Sequence, residues 1–300
     1  MAEISLVILA AGMGSRYGGN KQVDAFGPHG ESMMEYAMYD AIQIGFRHLV
    51  LVIRADMQET LKQYFNKRLP KNIVLDFVVQ DKSTFVPQYL SAERQKPWGT
   101  GHALLCCKGQ VHNAFGLINA DDFYGREALE SMFHFLKTSN ENWGIVPYQL
   151  KDVLSSHGYV SRGILSINDT GNLKSIQECT GIALQNNQIL SKDFPAMPLS
   201  AETLCSMNCW AFGADIFPLA DELFKDFLTH TDHTKQTEFY LPAIIEAAIK
   251  NKPDKVKVLA PGRQWFGVTF QQDSTPVKER LKAFHLQGKY PSPLWVNFVQ

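Results

Sequence analysis

The chain opens on a short apolar run, Ile4 to Ala11, in which hydrophobic residues follow one another instead of alternating with polar ones. A strand that is apolar on both faces is one buried between two layers, as in a parallel sheet. A glycine-rich stretch, Gly12 to Gly19, follows at once. Met33 to Ile44 then places apolar residues at helical spacing, and His48 to Ile53 reads as a second buried strand. Met57 to Phe65 predicts a helix, Ile73 to Val79 a third strand, Gly101 to Cys107 the start of another helix, and Ala114 to Asn119 a fourth strand that ends at Asp121 and Asp122. Strands alternating with helices predict an α/β fold, a Rossmann-like three-layer sandwich around a mostly parallel sheet.

The pattern changes after about Gly144. From Trp143 to Ile189 the chain is richer in short strands punctuated by turn residues, at Asn168 to Gly171 and at Asn186 and Asn187, which predicts a smaller antiparallel patch. Ser206 to Phe212 reads as one further strand. Phe239 to Ile249 is a helix with Leu241, Ile244, Ile245 and Ala248 on one face. Val256 to Leu259 and Trp265 to Phe270 are late strands, and Val277 to Leu286 is a closing helix. With no internal repeat, low-complexity segment or linker, residues 1–300 are expected to form a single domain.

Charge narrows the partners. A formal net charge of −1 over 300 residues gives no global attraction to nucleic acid or to a membrane surface. No apolar stretch approaches the roughly 20 residues of a membrane helix, and the N-terminus lacks the basic segment of a signal peptide. The five cysteines are odd in number and have no zinc-ribbon spacing, so they read as reduced thiols of a cytoplasmic protein. No coiled coil or interface helix marks an oligomeric state.

The most informative stretch runs from Leu9 through Ala10, Ala11, Gly12, Gly14, Ser15 and Arg16 to Lys21. Glycines after a first strand bring the backbone close to a ligand and point its N–H groups at phosphate oxygens. The dinucleotide pattern GxGxxG fails because Tyr17 stands at the third position, and a Walker A loop fails because Lys21 is followed by Gln22 instead of Ser or Thr. What remains reads as a triphosphate clamp. Arg16 offers a planar fork of donors and Lys21 a compact point charge, the device expected where negative charge develops on phosphoryl oxygens. The plain alternative is a strand-to-helix loop with two solvated cations.

The run LAAG-x-G-S-R with a following lysine, Leu9 to Lys21, resembles the signature loop of the sugar-nucleotide pyrophosphorylases within the NTP-transferase superfamily. Its short Arg16-to-Lys21 spacing is closer to the molybdenum-cofactor and methylerythritol cytidylyltransferase relatives than to glucose-1-phosphate thymidylyltransferase. The resemblance implies that Ala10, Ala11, Gly12, Gly14 and Ser15 bind the nucleotide, that Arg16 contacts the leaving pyrophosphate, and that Lys21 bridges the attacking phosphate and the α-phosphate. Trp98 to Leu104 is similar to the family's GTA segment; Gly99 and Thr100 are then expected to lie near the base, with Thr100 capping the helix. Gln80, at a strand end, resembles the glutamine that reads a pyrimidine edge, and its plain reading is an exposed strand end. Ile118 to Gly125 resembles the family's metal motif, making Asp121 the Mg²⁺ ligand and Asp122 its neighbour in support. Mg²⁺ prefers one or two carboxylates together with phosphate oxygens and water.

Resemblance is looser downstream. Gly158, Glu178 and Asn208 fall where the family contacts its sugar acceptor. Two positions depart from the pattern. Cys179 follows Glu178 where a lysine holds the acceptor phosphate, leaving Lys174 or Arg162 as substitutes. Gly267 stands where a second metal carboxylate is usual, and Asp273 is the replacement candidate. Trp143, Trp210 and Trp265 read as core residues before stacking platforms. The resemblance therefore implies a nucleotidylyltransferase that moves an NMP unit from an NTP to a phosphorylated small molecule, a sugar 1-phosphate first, with residues 1–142 serving the nucleotide and 143–300 the acceptor. A metal-dependent GT-A-like glycosyltransferase and a non-catalytic nucleotide-sensing protein are the alternatives.

Overall fold

The computed structural model describes residues 3–12, 24–139, 141–155, 158–185, 188–194, 199–232, 237–268 and 271–296. The first half runs β1 (Ser5–Leu9), α1 (Met33–Ile44), β2 (His48–Ile53), α2 (Gln58–Asn66), β3 (Val74–Val79), α3 (Gln88–Glu93), α4 (Thr100–Cys106), β4 (Phe115–Asn119), β5 (Asp122–Phe123) and α5 (Arg126–Thr138). The second half continues with β6 (Trp143–Ile145), β7 (Tyr148–Gln149), β8 (Val160–Ile167), β9 (Leu173–Gln185), β10 (Gln188–Ser191), β11 (Leu204–Ser206) and β12 (Trp210–Phe212). It closes with α6 (Ile216–His230), α7 (Leu241–Asn251), β13 (Val256–Val258), β14 (Phe266–Gly267) and α8 (Ser274–Leu286).

Among the described residues seven strands form the central sheet, in the order β13-β6-β12-β4-β1-β2-β3. All run parallel except β12, which is antiparallel to both its neighbours. Alternate residues of each strand enter two different cores. Leu6, Ile8, Leu49, Leu51 and Ile53 pack with Met34 and Met38 of α1, Leu61 of α2, Met132 of α5 and Leu281 of α8. Val7, Val50, Val52, Phe115 and Leu117 pack with Leu104 of α4, Phe224 of α6 and Ile245 of α7. Burial on both faces is why these strands read as unbroken apolar runs, and it gives the expected three layers.

A second sheet, β10-β9-β8-β11-β7, is antiparallel throughout. It is the expected patch, but the chain joins the two sheets differently from the expectation of one strand over Ser206 to Phe212. That run breaks into β11 in the small sheet and β12 in the central one. Between them Asn208 sits at φ 57°, the left-handed region that asparagine tolerates best among non-glycine residues. The late strand expected over Trp265 to Phe270 is the two-residue β14, paired with β5, and Thr269 and Phe270 lie outside the described residues. Three strands from after residue 142 (β6, β12 and β13) complete the central sheet, so residues before and after that point share one sheet. Among the described residues no helix is long and apolar enough to cross a membrane.

The start of α1 and the C-terminal segment are tied together by buried carboxylates. Glu35 accepts from the Ser32 N–H at 2.6 Å and from the Tyr64 hydroxyl at 2.8 Å, while its other oxygen accepts from the Trp295 indole at 2.8 Å. Asp40 accepts from Tyr290 at 2.7 Å and pairs with Arg126 at 2.8 Å. Glu31 accepts from the Leu294 N–H at 3.2 Å, and its carbonyl holds the N–H groups of Phe26 and Gly27, both at 2.9 Å. Residues 24–32, which follow the glycine-rich loop, are thereby fixed to the end of the chain.

Candidate active site

Parallel strands present their C-terminal ends in a row, and ligands of open α/β sheets bind outside that edge. Here the row holds Asn119 to Asp122 after β4, Ala10 to Gly12 after β1, Arg54 after β2 and Gln80 after β3. Leu9 pairs with Asn119, and the Ala120 N–H donates to the Leu9 carbonyl at 3.0 Å, so the glycine loop and the acidic turn leave adjacent strands side by side. Ala10 and Ala11 are buried, and the Ala10 N–H is spent on Val52 O at 2.7 Å; Gly12 is exposed. Gly14, Ser15, Arg16 and Lys21 lie outside the described residues.

Asp121 is half-buried in the turn after β4 and Asp122 is buried beside it. The Asp122 carboxylate accepts from Asn119 Nδ2 at 3.0 Å and from the Tyr124 hydroxyl at 3.2 Å. Asn119 also accepts from Asn208 Nδ2 at 3.5 Å, so the predicted acceptor residue Asn208 reaches the acidic turn through its left-handed bend. Among the described residues no three His, Cys, Asp or Glu side chains gather as a metal cluster, so Asp121, Asp122 and Asp273 do not form one. A Mg²⁺ held by one or two carboxylates and by phosphate oxygens needs no such trio.

At the end of β3 Gln80 Nε2 donates to the Gly99 carbonyl at 2.9 Å. Gly99 takes φ 99° at the head of α4, and a Cβ there would stand 2.6 Å from Phe239 O. The neighbouring Gly101 meets the Phe239 ring in the same way. These two glycines thus make room for the chain's own segment 238–241. Thr100 does not cap α4, where it is the first helical residue; its hydroxyl accepts from the Leu241 N–H at 3.0 Å and joins α4 to the start of α7.

In the small sheet Glu178 lies opposite Gly163 in the β8–β9 pair, with its side chain exposed. Partial desolvation raises its carboxyl and the Arg162 charge pulls it down. Desolvation, Glu238 and Glu178 together raise the Tyr240 phenol, which places Glu178 within electrostatic reach of the segment that Thr100 anchors. Gly158 is partly exposed just ahead of β8.

Residues 6–82 match the MobA-like NTP transferase domain family. No curated protein matches the chain. Solved structures share its fold. One is the inositol-1-phosphate CTP transferase from T. maritima, 14% identical with a TM-score of 0.64, covering 94% of this chain and 97% of that one. Another, from Bacillus anthracis in complex with sucrose, is assigned as a glucose-1-phosphate thymidylyltransferase; it is 13% identical with a TM-score of 0.64, covering 94% of this chain and 96% of that one. The chain has the nucleotidyltransferase fold along nearly its whole length.

Within that fold the two departures acquire physical reasons. Cys179 is fully buried in the core below β9, so a side chain at that position is turned away from the Glu178 face. Of the two substitute cations, Lys174 is exposed on β9. Arg162 lies inward, its guanidinium bonded to Val153 O at 2.6 Å and Ser161 O at 2.8 Å, and stacked 5.2 Å from the Trp265 ring. Burial lowers its pKa against the pull of Cys205, Asp122 and Glu178, so its charge is felt by both the acidic turn and β9. Gly267 pairs with Asp122 in the β5–β14 ladder, whereas Asp273 stands at the residue before the first turn of α8 without a side-chain capping bond. His102, unremarked in the motif, is wholly buried and touches Gln80.

Proposed function

We propose that this protein transfers an NMP unit from an NTP to a phosphorylated small molecule of the sugar 1-phosphate class and releases pyrophosphate. The observation that carries the reading is the adjacency of β1 and β4: Leu9 pairs with Asn119, so the strands that lead to Gly12 and to Asp121 and Asp122 end at the same edge of the sheet. A triphosphate lying over that edge meets backbone N–H groups on one side and carboxylates on the other. The acceptor, itself an anionic phosphate, attacks the α-phosphorus in line, so no covalent enzyme intermediate is required and catalysis is positioning with charge neutralisation.

Arg16 is assigned to the departing pyrophosphate and Lys21 to the phosphates that react. Asp121 would hold Mg²⁺, whose chemistry there is to neutralise charge on the triphosphate. Asp122, held by Asn119 and Tyr124, keeps the acidic turn in place. Glu178, Gly158 and Asn208 are assigned to the acceptor and Gln80 to the base. Asp273 is assigned as the second carboxylate for the metal. Residues 1–142 carry the nucleotide and 143–300 the acceptor within one domain.

Thermal unfolding against each NTP, with and without Mg²⁺, and against NAD and UDP-sugars tests the reading. Ligand at 100 times its Kd adds about 2.7 kcal/mol of stability. A Mg²⁺-dependent rise with NTP is expected; a rise with UDP-sugars alone would favour a glycosyltransferase, and a rise with NTP but no turnover on any acceptor would favour a nucleotide sensor.

A further inference from the structure

Among the described residues the Arg162 guanidinium bonds only to neutral groups. Its Nε and Nη2 both donate to Val153 O, at 3.2 and 2.6 Å, and its Nη1 donates to Ser161 O at 2.8 Å. A guanidinium carries five N–H groups, so one on Nη1 and one on Nη2 are left without a partner there. Arg162 lies opposite Cys179 in the β8–β9 pair, and residues directly opposite share one face of a sheet. Glu178, the next residue along β9, belongs to the other face and does not supply the counter-ion. On the Arg162 side the guanidinium carbon stands 5.2 Å from the centre of the Trp265 ring. Trp265 is 8% exposed, and its Nε1 is buried with no acceptor. A Cβ on Gly267 would lie 3.0 Å from Trp265 Cζ2, two bonds from Nε1, and 2.5 Å from Asp122 Oδ1, so that edge of the indole borders the acidic turn. An inward-lying cation without a counter-ion and a buried N–H without an acceptor are both costly. One oxyanion between them removes both costs.

We propose that Arg162 and the Trp265 indole N–H form an oxyanion corner that receives the phosphate of the acceptor. The proposal rests on the nucleotidyltransferase reading for the molecule that brings the phosphate. The corner offers three N–H donors and a full positive charge, which a phosphate matches with several oxygens and its own charge. A sugar hydroxyl would accept from the indole but leave the guanidinium uncompensated. The corner therefore distinguishes a phosphorylated acceptor from the free sugar. Its donors come from β8 and from the residue before β14, away from the strand ends of β1 and β4 over which the triphosphate is assigned.

The test is the indole ¹H–¹⁵N spectrum of the full-length protein, in which Trp265→Phe identifies the Trp265 signal among those of the five tryptophans. Inorganic phosphate and glucose 1-phosphate should each move that signal downfield, as a new hydrogen bond to an anion does. Glucose, and each NTP with Mg²⁺ alone, should leave it in place. Arg162→Gln should abolish the response to phosphate. Trp265→Phe keeps the ring and removes an N–H that bonds to nothing in the fold, so its melting temperature should match wild type. Its KM for the phosphorylated acceptor should rise roughly 10-fold or more, as for a lost hydrogen bond to a charged group, while its KM for NTP holds. These Trp265→Phe results decide the matter even where Arg162→Gln does not fold. A Trp265 signal indifferent to both phosphates, one that moves as far with glucose or with NTP and Mg²⁺ alone, or an unchanged acceptor KM in Trp265→Phe would overturn the inference. A signal that answers to phosphate in a protein that releases no pyrophosphate with any NTP and acceptor would instead bring down the nucleotidyltransferase reading and leave the corner as an anion site.

Discussion

Gly267 faces Asp122 across the β5–β14 pair so closely that a Cβ at Gly267 would lie 2.5 Å from Asp122 Oδ1. The same Cβ would lie 3.0 Å from the Trp265 ring. The space that a side chain at position 267 would enter is therefore already occupied by the Asp122 carboxylate. Gly267→Ala is expected to displace Asp122 and to destabilise the fold by about 1–3 kcal/mol through overpacking. Urea unfolding checks this, and an unchanged midpoint would mean that the two strands separate freely.

The Trp295 indole on Glu35 links the last described turn to α1. Trp295→Phe keeps the ring and removes the donor to a buried carboxylate. A loss of about 1.5–3 kcal/mol is expected, as for hydrogen bonds to charged groups, and chemical denaturation of the variant measures it.

All five cysteines are thiols. Burial pushes the Cys106 and Cys205 thiols up to about 12 each and raises those of Cys107, Cys179 and Cys209 as well. Since the thiolate is the reactive form, the native protein at pH 7.5 should react with a thiol reagent far more slowly than the unfolded chain, which should titrate all five.

Acid should weaken the fold through His102. Its pKa is lowered first by burial and further by the Arg94 charge, with Thr84 O and Asp81 opposing. Below the ordinary value near 6.5 the unfolded chain binds a proton that the folded one does not. Stability is thus complete above that pH and is lost as pH falls toward the depressed folded value, by up to about 1.4 kcal/mol per unit. Unfolding at pH 7.5, 6.5 and 5.5 should show a shallower acid loss in His102→Gln than in wild type.

The central sheet was legible because strands buried on both faces leave unbroken apolar runs: Met33 to Ile44 and His48 to Ile53 coincide with α1 and β2. The stripe Ala128, Leu129, Met132 and Leu136 marks α5 by the same helical spacing. The break at Asn208 was not legible, because an apolar run says nothing about which sheet receives each half. At the site, the order of motifs along the chain already placed the glycine loop and the acidic turn after strands. Other features depend on contacts between distant segments. Phe239 explains Gly99 and Gly101, Leu241 takes the Thr100 hydroxyl, and the strand face decides that Cys179 is core while Glu178 is exposed.

Pyrophosphate release tests the central claim most directly. Purified protein with Mg²⁺ and the NTP it binds should release pyrophosphate when a sugar 1-phosphate or a related phosphorylated acceptor is added, and Arg16→Ala and Lys21→Ala should each lower the rate by roughly 10²–10³ while leaving the fold intact. Release of a nucleoside diphosphate in place of pyrophosphate, or an Arg16→Ala variant that turns over at the wild-type rate, would contradict the account.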